Sequence, residues 1–221
     1  MQLAKIIKRI TTGITLAAIF LGTFLLLPPF VSSVLLGGIL LYILFFEWPL
    51  LFDWQHPYFW IIMPFYPVLP FLLLIAINQS VVYRPLLLIL FLVVASFDTG
   101  AYFFGKLFGS HKIAPLISPG KTWEGFLGGF LCAVGILKLF VWLFKISIPL
   151  CCMALFTLII SVLSIFGDLF ESSLKRQARV KDSGDILPGH GGFLDRLDGI
   201  LFAVFFIYFF KKQLITIFGL V

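Results

Sequence analysis

Eleven of the chain's 26 charged side chains fall within the 31 residues 168–198. The acids are Asp168, Glu171, Asp182, Asp185, Asp195 and Asp198, and the bases are Lys175, Arg176, Arg179, Lys181 and Arg196. On a helix, Asp168, Glu171 and Lys175 stand at i, i+3 and i+7, on one face, and Asp195 and Asp198 repeat the i, i+3 step. Two such carboxylate pairs suit one hard cation, because Mg2+ prefers oxygen ligands and commonly shares them with substrate phosphates. Between the pairs runs Leu187-Pro-Gly-His-Gly-Gly-Phe193. Gly189, Gly191 and Gly192 permit positive φ and close backbone approach. A glycine-rich loop that opens onto a helix can turn N–H groups toward phosphate, although this signal alone is weak. His190 is the one histidine in the segment. It can bind phosphate, act as a base or cap the turn.

Two further places carry polar chemistry. Asp98 sits in an otherwise apolar run, and an ionisable group there is a functional hypothesis by default. The stretch Ser118-Pro-Gly-Lys-Thr-Trp-Glu-Gly125 adds Lys121 and Glu124. It is not a phosphate-binding P-loop, because the upstream GxxxxG frame is missing. Its plain reading is a Ser-Pro turn followed by a helix start, with Thr122 as N-cap. A solvated juxtamembrane loop with incidental ion pairs would give the charged segment the same composition. Asp98 and the carboxylate spacing are what argue for more.

The elements that must position these residues are apolar. Of 221 residues, 61% are hydrophobic and 12% charged, about half the charged share of a soluble domain. Mean hydropathy is +1.13. Too few charges exist to cover a soluble surface, so a cytosolic enzyme, a disordered chain and a secreted disulfide scaffold are excluded. The apolar stretches are continuous rather than alternating, which disfavours a closed barrel. The expected fold is all-α, a polytopic transmembrane helical bundle of about seven spans.

A bilayer crossing takes about 20 apolar residues. The expected spans are 10–27, 30–46, 58–77, 85–104, 125–144, 146–167 and 199–219. Pro28-Pro29 joins the first two as a hairpin. Glu47, Asp53 and His56 are expected in the following loop. Pro64, Pro67 and Pro70 should kink or break the third span. The last crosses only if Lys211 and Lys212 snorkel. The first, preceded by Lys5, Lys8 and Arg9, is read as an uncleaved helix rather than a signal peptide, being long and lacking a clear cleavage site. Two regions are expected, 1–84 of N-terminal helices and 85–221 carrying the chemistry, as one integral membrane unit.

The three basic residues before the first helix place the N-terminus in the cytoplasm. Counting spans then puts loop 105–124 and segment 168–198 both on the cytoplasmic side, and both are rich in Lys and Arg. The net charge of +6 therefore speaks of orientation and anionic head groups rather than of nucleic acid, which is not expected as a partner. Cys132, Cys151 and Cys152 lie in apolar runs without metal-ligand spacing and are read as buried, inert thiols. The GxxxG pairs Gly105/Gly109 and Gly125/Gly129 are read as close helix packing.

The run Ser172-Ser-Leu-Lys-Arg-Gln-Ala-Arg-Val-Lys-Asp-Ser-Gly-Asp-Ile-Leu-Pro-Gly-His-Gly-Gly-Phe-Leu-Asp-Arg-Leu-Asp198 resembles the signature of phosphatidate cytidylyltransferases (CDP-diacylglycerol synthases) at every fixed position. The stretches Phe97-Asp-Thr-Gly-Ala-Tyr-Phe-Phe-Gly105 and Ser118 to Gly125 also resemble that family, so the similarity spans roughly residues 95–200. It implies that phosphatidic acid and CTP give CDP-diacylglycerol and pyrophosphate in a bacterial inner membrane, with the active site facing the cytoplasm. It implies Mg2+ on Asp168 and Asp195, leaves room for a second, monovalent cation such as K+, and allows a homodimer.

The roles that follow from the resemblance are these. Asp98, Glu171 and Asp198 serve as further metal ligands or their outer shell. Lys175, Arg176 and Lys181 hold phosphates, and Lys121 the lipid phosphate or the triphosphate. Ser118, His190 and Arg196 join the substrate site, and Gly191 and Gly192 let the backbone approach the nucleotide. The chemistry is coherent, since two polyanions must be brought together against their repulsion. Fixed positive charge does part of that work. A phosphate monoester is already largely ionised near neutral pH, so no protein base is required. A lipid kinase using CTP would share the charge cluster. A transporter would instead place charges near the midplane of matching broken helices.

Overall fold

The computed structural model describes residues 2–187, 189 and 191–220. Apolar runs become helices and prolines punctuate them. Helix α1 spans Gln2–Leu26 and stops before Pro28. Helix α2, Pro29–Tyr42, carries its proline in the first turn, where the missing N–H costs nothing. A π-helical turn, Ile43–Glu47, leads without a break into α3, Trp48–Leu51. Helix α4, Pro57–Ile62, starts on a His56 cap, whose Nδ1 accepts from the Tyr58 N–H. After it the chain breaks as the three prolines predict: Tyr66 is extended at φ −153°, ψ 113°, and α5 resumes over Leu69–Gln79.

Helix α6 covers Pro85–Phe108. Strands β1, Lys112–Ala114, and β2, Ser118–Thr122, form an antiparallel hairpin pairing Lys112 with Thr122 and Ala114 with Ser118. Helices α7, Trp123–Leu143, α8, Leu150–Gln177, and α9, Leu194–Phe218, complete the chain. Among the described residues six helices are long and apolar enough to cross a membrane: Pro29–Leu51, Pro57–Gln79, Pro85–Phe108, Trp123–Leu143, Leu150–Gln177 and Leu194–Phe218. The expected first span forms α1, whose apolar run, Thr11–Leu26, is shorter. The chain is an all-α, multi-pass membrane protein with one small hairpin.

Three expectations need correction. Glu47 belongs to a helical turn and is fully buried, not in a loop. The 105–124 loop is mostly structured, by the end of α6 and the hairpin. The segment 168–198 is helical at both ends, as the i, i+3 spacings of its acids anticipate: Lys175 and Arg176 close α8 and Asp195 opens α9, each sign matching its end of the helix dipole. The cysteines are unpaired as expected, but Cys151 is exposed and the other two are only half-buried, because a lipid-facing helix surface accepts a thiol as readily as a core does.

The chain divides into two units, Met1–Gln79 with Leu174–Asp198, and Ser80–Ser173 with Gly199–Val221. In the first unit, α2 and α5 are joined by polar glue: Asn78 Nδ2 donates to Pro29 O at 2.7 Å and to Ser33 Oγ at 2.9 Å, and Gln79 Nε2 to Ser33 Oγ at 2.8 Å. Trp48, fully buried, packs with Phe59 and Tyr66. In the second unit α6 and α7 meet through small residues, as the GxxxG spacing predicts. A Cβ on Gly128 would lie 2.2 Å from the Phe104 ring, and one on Gly129 would lie 2.6 Å from the Phe97 carbonyl oxygen. Helices α8 and α9 pack through Phe170 on Phe202 and Phe156 on Phe206. Large apolar side chains such as Phe103, Leu131, Trp142 and Phe209 are exposed, which suits contact with lipid tails.

Candidate active site

In the first unit, the end of α8, the loop 178–193 and the start of α9 meet around one carboxylate. Asp195 has a side chain 4% exposed. Its Oδ1 accepts from Lys175 Nζ at 2.5 Å. Its Oδ2 accepts from the backbone N–H of Ser183 at 2.8 Å and of Gly192 at 2.9 Å. Three charge-assisted bonds of this kind fix the direction of the carboxylate. Asp195 thus ties the loop to the helix that it opens.

A second carboxylate stands behind it. Glu47 Oε1 accepts from the Phe193 N–H at 2.7 Å, and Oε2 from the Leu194 N–H at 2.8 Å. These are unpaired donors at the N-terminus of α9, where negative charge is favoured. Ser183 Oγ lies 3.1 Å from Glu47 Oε2 and 3.0 Å from Asp195 Oδ2, so one hydroxyl links the two carboxyls.

The glycines follow from this arrangement. Gly191 has φ +80°, and a Cβ there would come within 2.5 Å of Asp195 Oδ2. A Cβ on Gly192 would lie 2.4 Å from Ser183 Oγ and 2.6 Å from the Glu47 carboxyl. Gly189, at φ +77°, also requires the left-handed region. The Leu187 N–H donates to Gly191 O at 2.9 Å and closes the loop.

In the second unit Lys121, on β2, pairs with Asp168 on α8; their side chains are 22% and 28% exposed. Ser172 Oγ donates to Asp168 Oδ1 at 3.2 Å, one turn along α8. Thr122 caps α7 as its sequence predicts, its Oγ1 accepting from the Gly125 N–H at 3.1 Å. Glu124 fastens the hairpin. It accepts from the Ser110 and His111 N–H groups and meets His111 Nδ1 at 2.6 Å.

Of the residues singled out from sequence, Lys175, Asp195, Gly191 and Gly192 come together in the first unit, and Lys121 with Asp168 in the second. Glu171 is buried on α8, Asp198 is half-buried on α9, and Asp98 is exposed on α6. Ser118 is half-buried on β2, and Arg176, Lys181 and Arg196 are exposed. His190 lies outside the described residues. Among the described residues no group of three or more His, Cys, Asp or Glu side chains is close enough to hold a metal ion; Asp168 and Asp195 are each met by a lysine. Glu47 and Ser183 are the participants that sequence reasoning missed. Four candidate spans lie between Glu47 and the 178–193 loop, an even number, and that parity could have drawn attention to this acid.

A family model described as "Cytidylyltransferase family" matches residues 50–214. The phosphatidate cytidylyltransferase of Bacillus subtilis (strain 168) is 51% identical over 117 residues, 53% of this chain and 44% of that protein. That of Staphylococcus haemolyticus (strain JCSC1435) is 53% identical over 116 residues, 52% of this chain and 44% of that protein. That of Staphylococcus aureus (strain COL) is 47% identical over 114 residues, again 52% and 44%. The match takes in less than half the length of each of these relatives.

Proposed function

Because this chain belongs to the cytidylyltransferase family, we propose that it transfers the cytidylyl group of CTP to phosphatidic acid, giving CDP-diacylglycerol and pyrophosphate. The observation that carries this reading is the Lys175–Asp195 pair, which the 27-residue signature 172–198 folds around itself. A lysine and an aspartate held this close, beside a glycine loop, are what a reaction between two polyanions needs at its centre. The relatives named above carry the activity in their names.

In the proposed reaction an oxygen of the lipid phosphate attacks the α-phosphorus of CTP. The bond from that phosphorus to the oxygen bridging to the β-phosphate breaks, and its electron pair leaves on pyrophosphate. A phosphate monoester has its second pKa at about 6, so the attacking oxygen needs no protein base. Lys175 and Lys121 would hold phosphate oxygens and offset the repulsion between the substrates. An ammonium has three N–H donors, so Lys175 can meet a phosphate while it keeps Asp195, and Lys121, on a flexible stem and partly exposed, can leave its carboxylate for one.

Either of the two aspartates would suit a divalent cation. Asp168 and Asp195 are hard oxygen donors, and each already holds a positive group against its carboxylate. Mg2+ commonly takes only one or two carboxylates plus substrate phosphates, so a protein cage of three acids is not required. When bound, such an ion supplies positive charge against the triphosphate and the departing pyrophosphate. We place the reaction at the cytoplasmic face of a bacterial cell membrane, where the Lys- and Arg-rich segments belong.

The test is an assay of the purified protein with labelled CTP, phosphatidic acid in mixed micelles, an Mg2+ titration and an EDTA arm. Pyrophosphate release that depends on phosphatidic acid and stops with EDTA supports the reading. Release of CDP with a phosphorylated lipid would replace it with a kinase.

A further inference from the structure

We propose that Glu47, which lies before the residues matched by the family model, is a positioning residue for Asp195. The inference rests on the proposed function, since it matters only if Asp195 serves that reaction. Three observations carry it. Glu47 is fully buried, and burying a carboxylate is expensive unless its oxygens are satisfied. Its two oxygens take the Phe193 and Leu194 N–H groups, the two residues immediately before Asp195. Ser183 then joins it to Asp195 itself, at 3.1 and 3.0 Å.

The arrangement is a carboxylate relay without proton transfer. Glu47 anchors the backbone at the first turn of α9. Ser183 anchors the loop against both acids. Asp195 is left with one oxygen, Oδ1, turned to Lys175. The absence of a Cβ at Gly192 is what lets Glu47 and Ser183 reach this place. Outer groups that orient a ligand typically change metal affinity or activity by about 10–100-fold when removed.

Glu47→Gln is the direct probe. An amide presents an NH2 group where one of the two N–H donors now points, so one of the bonds to Phe193 and Leu194 must be lost. The expected outcome is a rise of about tenfold in the Mg2+ concentration for half-maximal rate and a fall in kcat, with KM for CTP changed less than about twofold. Two readouts need no turnover: Mn2+ binding to the detergent-solubilised protein should weaken, and amide hydrogen exchange across 183–195 should speed up. They remain informative if the wild-type protein fails to transfer cytidylyl groups, so failure of the functional reading and failure of this inference are told apart. Faster exchange with unchanged Mn2+ affinity and unchanged kcat would make Glu47 a helix cap only and overturn the proposal. If Glu47→Gln does not reach the membrane, Ser183→Ala replaces it, because it removes the link and leaves both backbone bonds of Glu47. Mn2+ affinity equal to wild type in Ser183→Ala then overturns the proposal.

Discussion

Lys175 Nζ lies 2.5 Å from Asp195 Oδ1, with the two side chains 13% and 4% exposed. The pair joins the last turn of α8 to the first turn of α9 across 20 residues of sequence. Its burial separates it from an ordinary surface ion pair. A buried pair holds its geometry because neither partner can be given up cheaply.

Asp195→Asn should therefore harm both chemistry and stability. Turnover should drop by at least about 100-fold. Lys175 would lose its counter-charge in a buried place, which costs about 3–5 kcal/mol when one partner of such a pair is removed. Pyrophosphate release and a thermal unfolding curve in detergent read the two effects. Near-full activity in this variant would remove Asp195 from the proposed site.

Lys121→Met should separate function from stability in the opposite way. The Lys121–Asp168 pair is over a fifth exposed on both sides, so solvent screening leaves it worth about 0–1 kcal/mol. A charge-assisted bond from Lys121 to a substrate phosphate would be worth about 1.5–3 kcal/mol, which is roughly a 10–100-fold loss in kcat/KM. An unfolding midpoint close to wild type, together with that kinetic loss, is the expected result. Unchanged kinetics would confine Lys121 to the hairpin.

Gly192→Ala should be far more damaging than an alanine at a helix glycine. Its Cβ would strike Ser183 Oγ and the Glu47 carboxyl, both held by other bonds. Gly191→Ala adds strain of about 1–3 kcal/mol from its positive φ. Gly135→Ala is the control, since nothing lies within 4 Å of a Cβ there. Membrane yield and turnover of the three variants should rank Gly135→Ala near wild type and the other two well below it.

Gly128→Leu tests the α6–α7 interface. A Cβ at 2.2 Å from the Phe104 ring forces the helices apart, and overpacking of this kind costs about 1–3 kcal/mol or more. A lowered unfolding midpoint is expected. Leu127→Ala, one residue earlier on the exposed face, should leave the midpoint within about 0.5 kcal/mol of wild type.

Much of the fold was legible because membrane spans are local objects. A helix in lipid satisfies its own backbone, so a continuous apolar run is nearly sufficient to specify it. The breaks at Pro28 and at Pro64 to Pro70, the Thr122 cap and the glycine seam of α6 and α7 all follow from neighbours in sequence. Hydropathy ends the apolar span of α8 at residue 167 and leaves the end of the helix open, because it marks where the apolar run stops and not where hydrogen bonding stops. Ser172 on Asp168 and the basic last turn carry that helix on to Gln177.

The sequence by itself determined the class of the protein, the approximate course of its apolar helices and the signature that marks its family, since each is written in contiguous residue types. Only the tertiary structure decided which lysine meets which aspartate, and that Glu47, 147 residues before Leu194, caps the helix that carries Asp195. A lone acid at the end of an apolar helix reads as an interfacial residue until a partner is known. Two of its partners are backbone N–H groups, which every residue but proline possesses. No residue type advertises that contact, and it exists only once the chain has packed.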